Sequence, residues 1–104
     1  MASSKEYLEF IMEQLSETED VSARPMMGEY LIYVRGKLVG GIYDDRFLIK
    51  PTKSALRMLP DAQKELPYEG AKALLLVDRV EDRAFLRSLL DAVSDELPAP
   101  KKKR

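Results

Sequence analysis

The chain contains no cysteine and no histidine among its 104 residues. Without thiols it forms no disulfide, and without thiolate or imidazole ligands the common zinc sites are excluded. Nucleophilic mechanisms built on Cys–His or Ser–His–Asp groups are excluded for the same reason. We therefore expect no metal centre of these kinds, although sites made of oxygen ligands alone stay open in principle.

Long apolar runs are also missing. No stretch approaches the ~20 apolar residues that cross a bilayer, and residues 1–5 lack the apolar segment of a signal peptide. A cytoplasmic location without membrane contact is the expectation. Apolar residues make up 45% of the chain and charged residues 34%, which is a composition typical of one small folded domain.

Charge is unevenly distributed along the chain. The net charge is −1, yet the last four residues are all basic: Lys101, Lys102, Lys103 and Arg104. Residues 1–100 are therefore mildly acidic. Because short charge runs at chain ends are usually solvated, the sequence predicts a domain over residues 1–97 and a disordered basic tail over 98–104.

Apolar residues near both ends recur with the period of an α-helix. These two sets are Leu8, Ile11, Met12 and Leu15, and then Leu86, Leu89, Leu90, Val93 and Leu97. Ser3 with Glu6 fits a capping box at the start of the first helix, and Asp78 with Glu81 fits one before the last. Pro98 is expected to end the last helix.

Between these helices the apolar period is two, which favours strands. Strands are predicted over 21–26, 30–35, 38–43 and 46–50, with tight turns at Gly36 and at Asp44-Asp45. The adjacent pair Gly40-Gly41 within a strand predicts a bulge or a close approach of another backbone.

The second half contains a short helix, a loop and one more strand. Thr52 is placed to cap the short helix, residues 60–72 contain two prolines and a glycine, and residues 73–77 are continuously apolar. The order is therefore α-β-β-β-β-α-β-α. The predicted fold class is α+β, with two layers: an antiparallel meander sheet with helices on one face.

Residues 21–51 read VSARPMMGEYLIYVRGKLVGGIYDDRFLIKP. In spacing, this segment resembles the signature region of the TfoX/Sxy family N-terminal domain, in which an Arg is followed by Met and Gly, a Gly turn, an acidic turn and a strand ending in Lys. The matching residues are Arg24, Met26, Met27, Gly28, Gly36, Asp44, Asp45 and Lys50. The order of elements is similar over most of residues 4–97.

The resemblance implies a compact fold related to the secretion-chaperone-like architecture. It also implies a stand-alone relative of competence regulators, and hence a role in transcription regulation. Complete regulators carry a second, C-terminal domain with helix-hairpin-helix character, for which this chain has no room. The function it implies is that of a non-enzymatic regulatory or protein-interaction module. Its partner would be another protein or a second copy of this chain.

Five residues of the resemblance are candidate interaction residues: Arg24, Met26, Met27, Gly28 and Lys50. For Arg24 the alternative is structural, as an ion pair with Glu29 or as a guard against edge pairing. Met26 and Met27 fit an adaptable binding surface, or one of them belongs to the core. Gly28 fits the backbone geometry of a turn.

A weak nucleic-acid-binding protein is the second hypothesis. Its contacts would be the tail residues 101–104 together with Lys50, Lys53 and Arg57. Four tail charges give only weak, salt-sensitive binding, and the acidic body opposes it. Tyr30, Tyr33, Tyr43 and Tyr68 lack interleaved basic residues, so packing is favoured over base stacking.

An enzyme that uses Asp, Glu, Lys or Tyr is the third hypothesis. No pair of such residues stands out by spacing. Phosphate-binding glycine motifs of the G-x-x-x-x-G-K-[ST] or G-x-G-x-x-G kind are absent. We therefore expect neither a cofactor nor catalytic residues.

Overall fold

The computed structural model describes residues 3–98, which form three helices and six strands. In chain order these elements are α1 (Lys5–Gln14), β1 (Val21–Met26), β2 (Glu29–Val34), β3 (Lys37–Ile42), β4 (Phe47–Ile49), α2 (Lys53–Met58), β5 (Lys64–Glu65), β6 (Leu74–Leu76) and α3 (Arg83–Glu96). The predicted order is confirmed. The structure adds the two-residue β5 inside the segment that was predicted as a loop.

All strands belong to one antiparallel sheet in the order β1-β2-β3-β4-β6-β5. The first four strands form a meander, which confirms the α+β class. Strands β1 and β5 lie at the two edges. The boundary between the predicted domain and tail stays a prediction, because most of that tail lies outside residues 3–98.

Three turns of two residues connect the strands of the meander, at 27–28, 35–36 and 44–45. Every residue in these turns has a positive φ, between 50° and 88°. Two successive left-handed residues define a type I′ turn, whose twist matches that of the flanking strands. Glycine adopts this conformation freely, whereas Met27, at 52°, is an unusual occupant.

Of the two alternatives predicted for Gly40-Gly41, the close approach of another backbone is confirmed, whereas the shift in the pairing of β2 with β3 lies just before them, at Val39. A Cβ atom on Gly40 would lie 2.1 Å from the carbonyl oxygen of Leu48. A Cβ atom on Gly41 would lie 2.7 Å from the ring of Tyr43. The carbonyl oxygen of Tyr30 would lie at the same distance, 2.7 Å, from a Cβ atom on Gly41. Both glycines are therefore required by close backbone neighbours, and Gly41 by an aromatic ring as well.

The observed N-caps of α1 and α3 differ from the predicted capping boxes. The cap of α1 is Ser4, whose Oγ accepts the N–H of Tyr7, because the hydroxyl of Ser3 donates to Glu29 instead. The cap of α3 is Asp82, whose carboxylate accepts the N–H of Phe85. The prediction of Thr52 as the cap of α2 is confirmed.

The core lies between the helices and one face of the sheet, which we call the covered face. Its largest fully buried side chains on the strands are Ile32, Ile42, Phe47, Ile49 and Leu75. From the helices it receives Ile11, Leu86, Leu89, Leu90 and Val93. Within residues 3–98 no helix has the length and apolar character needed to cross a membrane.

Candidate interaction surface

Within residues 3–98 no helix lies on the second face of the sheet, which we call the open face. One row of directly paired residues crosses it through five strands: Arg24, Leu31, Gly41, Leu48 and Leu76. These positions alternate with the covered-face residues, as a pleated strand requires. The open face is therefore largely apolar without being part of the main core.

A loop covers part of the open face. Residues 66–73 connect β5 to β6, and members of this loop share two depressions with strand residues. The rings of Tyr43 and Tyr68 lie 6.4 Å apart between centroids, tilted by 57°, an arrangement typical of favourable aromatic pairs. The loop is thus attached to the sheet through Tyr68, and a depression lies on each side of that contact.

The first depression, which we call the tip groove, lies beside the turns at 27–28 and 44–45. It has a volume of about 930 Å³. Its apolar lining residues are Met26, Met27, Leu66, Pro67, Tyr43 and Tyr68. Five large apolar side chains are exposed within residues 3–98, and three of them, Met27, Leu66 and Tyr68, line this groove. Exposed apolar side chains that cluster in this way mark contact surfaces.

Met27 is the most exposed of these side chains, at 97% of its full accessible area. Met26 is half-buried, and neither methionine belongs to the core, so the alternative of a core methionine does not hold. A left-handed conformation costs a residue with a Cβ roughly 1–2 kcal/mol. Met27 therefore has both an unfavourable backbone conformation and an apolar side chain exposed to solvent.

Hydrogen bonds from the start of the chain fix the two turns beside the tip groove. The hydroxyl of Ser3 donates to Oε1 of Glu29 at 2.5 Å and accepts the N–H of Asp45 at 3.0 Å. The same Glu29 oxygen accepts the N–H of Asp44 at 3.0 Å. The N–H of Ser3 donates to the carbonyl of Gly28 at 3.1 Å. This network, which we call the serine clasp, joins both turns to the helix start.

Arg24 lies outside the tip groove, on the open face of the edge strand β1. Its Cζ atom lies 5.8 Å from the centroid of the Tyr33 ring, within the range of a cation–π contact. The alternative ion pair with Glu29 is wrong: Arg24 forms no ion pair within residues 3–98, and Glu29 is engaged by the serine clasp. Its place on the edge fits the alternative of an edge guard.

The second depression, which we call the lysine cavity, lies on the other side of Tyr43 and Tyr68. It has a volume of about 470 Å³ and is lined by Leu38, Gly40, Tyr43, Lys50, Pro51, Thr52, Pro67, Tyr68, Ala71, Lys72, Ala73 and Leu74. Burial, followed by the charges that Tyr68, Glu29 and Tyr33 would carry, raises the pKa of the Tyr43 phenol. This phenol therefore keeps its proton at neutral pH.

The predicted nucleic-acid contacts Lys53 and Arg57 are both exposed on α2, but an acidic group lies beside them. Glu96 of α3 accepts the hydroxyl and the N–H of Ser54, the latter at 3.0 Å. These bonds, with smaller contributions from the Thr52 hydroxyl and the Arg57 charge, lower the pKa of Glu96. The carboxylate of Glu96 thus already occupies the N-terminus of α2, where a phosphate would have to bind. Residues 101–104 lie outside the described part of the chain.

Carboxylates are not gathered anywhere in the described part of the chain in a way that suits metal binding. No group of three or more acidic residues there could hold an ion. The two carboxyl groups whose pKa is lowered, Asp82 and Glu96, bind the first turns of α3 and α2. These shifts have structural causes and do not identify an acid–base pair.

The structure separates the five candidate interaction residues. Met26 and Met27 line the tip groove, Gly28 lies in the adjoining turn, Lys50 lines the lysine cavity, and Arg24 lies beside Tyr33. Leu66 and Lys72 line these depressions but were not predicted as site residues. Exposed loops are usually polar, so the apolar stretch Leu66-Pro67-Tyr68 inside a predicted loop was a signal that could have identified Leu66.

Comparisons with known proteins assign the chain to one family. A family model described as the TfoX N-terminal domain matches residues 13–95. An uncharacterized 12.7 kDa protein in the trpE 5′ region of Spirochaeta aurantia is 34% identical over 105 residues, which cover 100% of this chain and 91% of that protein. No solved structure matches the chain.

Proposed function

This chain belongs to the TfoX N-terminal domain family, and we propose that it is a regulatory module that binds a protein partner through the tip groove. The observation that carries this proposal is the clustering of Met27, Leu66 and Tyr68 in one groove. A role in competence or in transcription regulation stays an expectation from the family resemblance, and a cytoplasmic location stays an expectation from the lack of long apolar runs.

The chemistry of the groove suits a protein contact. Methionine adapts its shape to different partners, and tyrosine supplies a large contact area at a low cost in side-chain entropy. Glu29, Asp44, Arg46 and Glu69 add charged groups to the lining. Protein interfaces likewise combine apolar and aromatic contacts with polar groups.

The rigidity of the turns supports the same proposal. The serine clasp fixes the turn that carries Met27, so binding does not have to order this part of the surface. A surface ordered in advance binds more tightly because less conformational entropy is lost. The unfavourable conformation of Met27 is consistent with a residue kept for contact, not for stability.

A pair of matched double variants tests the proposal. Met27→Ser with Leu66→Ser removes two exposed apolar side chains from the groove, whereas Phe10→Ser with Leu56→Ser removes two exposed ones elsewhere. Sedimentation equilibrium measures self-association, and quantitative affinity capture from the source cells measures a second protein. We expect the groove variant to lose the complex and the control to keep it. Equal behaviour of the two variants contradicts the proposal.

The nucleic-acid hypothesis is tested separately with labelled duplex DNA. The full chain and a truncation to residues 1–100 are titrated at low and moderate salt. We expect no binding by the truncation. Binding by the full chain alone would make the tail an electrostatic tether, whereas equal binding by both would mean that the folded domain contacts DNA and that the proposed function is wrong.

A further inference from the structure

The lysine cavity differs in charge from the tip groove beside it, although the two share Tyr43, Pro67 and Tyr68. Lys50 and Lys72 are its charged lining residues, and no acidic residue of the described chain lines it. Neither lysine forms an ion pair within residues 3–98. Two uncompensated cations in one cavity of an otherwise acidic domain point to an anionic occupant.

The walls of the lysine cavity are mostly apolar. Leu38 and Leu74 come from the sheet, and Pro67, Ala71 and Ala73 come from the loop and its end. A volume of about 470 Å³ lies within the range of small-molecule sites. An occupant would therefore bury an apolar body in the cavity and keep its charge near the lysines.

A phosphate group fits this cavity poorly. Phosphate sites in proteins use several backbone N–H groups at a helix start or in a glycine-rich loop. The nearest helix start to the cavity is that of α2, and the N–H of Ser54 there already donates to Glu96. Lysine acts as a single point charge, so two lysines with an apolar wall suit a carboxylate on a hydrocarbon or aromatic body.

We propose that the lysine cavity binds a small organic carboxylate with an apolar body, whose charge lies at Lys50 and Lys72 and whose body packs against Leu38, Leu74 and the Tyr43–Tyr68 pair. The Tyr43 phenol, which keeps its proton, is a hydrogen-bond donor in the same cavity. This site is distinct from the protein contact at the tip groove. Both share the loop 66–73, so an occupant of the cavity also stabilises one wall of the groove.

Octanoate is the probe for this proposal, and octanol and octylamine are its matched controls for charge. Each is titrated into the ¹⁵N-labelled full chain, followed by amide chemical shifts and by calorimetry. We expect octanoate to bind most tightly and to shift the amides of Lys72, Ala73, Leu74 and Tyr43. Equal binding of the three probes, shifts confined to the tip groove, or no saturable binding of octanoate would each overturn the proposal.

Two pairs of variants test the residues. Lys50→Gln with Lys72→Gln should weaken octanoate binding about five- to tenfold, because each partly exposed ion pair contributes roughly two- to threefold in affinity. The control, Lys5→Gln with Lys64→Gln, removes two exposed lysines that do not line the cavity and should leave the affinity unchanged. If the two double variants bound octanoate with equal affinity, the assignment of its carboxylate to Lys50 and Lys72 would be wrong.

A cavity-filling variant gives an independent measurement. Ala73→Phe places a ring in the cavity and should abolish the binding of octanoate, whereas Ala84→Phe on the exposed side of α3 should not. The dispersion of the amide spectrum reports whether each variant is folded. Full octanoate affinity in a folded Ala73→Phe variant would overturn the proposal. Because these readouts need no protein partner, they are independent of the result at the tip groove.

Discussion

The two faces of the sheet contain similar residue types but differ in how much of their side-chain area is exposed. On the covered face, Ile32, Phe47 and Ile49 have no exposed area, because three helices lie over them. On the open face, Leu31, Leu38 and Leu76 remain half-exposed, whereas Leu48, which pairs with Gly41 beside the ring of Tyr43, is buried. Part of the open face is thus covered without a helix.

This difference separates the face that stabilises the fold from the face that is proposed to bind a partner. The covered face buries enough apolar area to specify the fold, since burial is the dominant favourable term in folding. The open face leaves more apolar area exposed, and this area is the surface proposed for contacts. Variants on the two faces show whether the faces differ in energy as they do in exposure.

The largest effect is expected from Phe47→Ala on the covered face. Phe47 is fully buried among the helices, and removing such a ring costs about 3–5 kcal/mol in the free energy of unfolding. Leu31→Ala on the open face should cost less than half as much, because its side chain is already half-exposed. Urea unfolding of both variants measures the difference. Equal losses would show that the open face is a second core.

Gly40→Ala comes next in size. Its Cβ would lie 2.1 Å from the carbonyl oxygen of Leu48, so the pairing of β3 with β4 must shift, at a cost of about 1–3 kcal/mol. Gly70→Ala is the matched control in the loop: it has a positive φ of 88° but open space around the new methyl group. Thermal unfolding should show the larger loss for Gly40→Ala. The reverse order would mean that the loop at Gly70 is more constrained than the pairing of β3 with β4 at Gly40.

Met27→Asn should stabilise the protein. Asn tolerates the left-handed conformation, and Asn-Gly is a favoured pair for a type I′ turn. Relief of the conformational cost at Met27 should raise the free energy of unfolding by about 0.5–1 kcal/mol. The same variant should weaken a partner complex at the tip groove. A loss of stability in chemical unfolding would show that Met27 is needed for folding after all.

Glu96→Gln should give the smallest effect, and it should depend on pH. The folded state lowers the pKa of Glu96, so its carboxylate contributes stability above its ordinary pKa and loses that contribution as pH falls through the lowered value. The variant should therefore melt below the wild type at pH 7, and the two should converge in acid. Asp95→Asn, the exposed neighbour, is the control and should show no such convergence. If Glu96→Gln still melted below the wild type at low pH, its effect would come from packing and not from the charge of Glu96.

Much of the fold could be predicted because local patterns determine it. The alternation of residues 21–50 placed each strand of the meander within about one residue, and the helical stripe at Leu86, Leu89 and Leu90 is buried as expected. Capping was harder to predict, because Ser3 and Ser4 both fit a cap. Only the fold shows that Glu29, 26 residues away, binds the first of them.

The candidate sites could be predicted only in part. Met26 and Met27 were recognised because the signature segment contains them. The depressions themselves depend on where the loop 66–73 lies, which is set by the contact of Tyr43 with Tyr68 and by the ion pair of Arg46 with Glu65 at 2.6 Å. Such contacts between distant residues leave no periodic pattern in the sequence.

The serine clasp has a practical consequence for anyone who handles this protein. Ser3 and Ser4 resemble a dispensable polar leader, yet their hydrogen bonds hold Gly28, Glu29 and Asp45 in register. A protease that removes the first four residues also removes these bonds, so the two turns then lose their link to the start of α1.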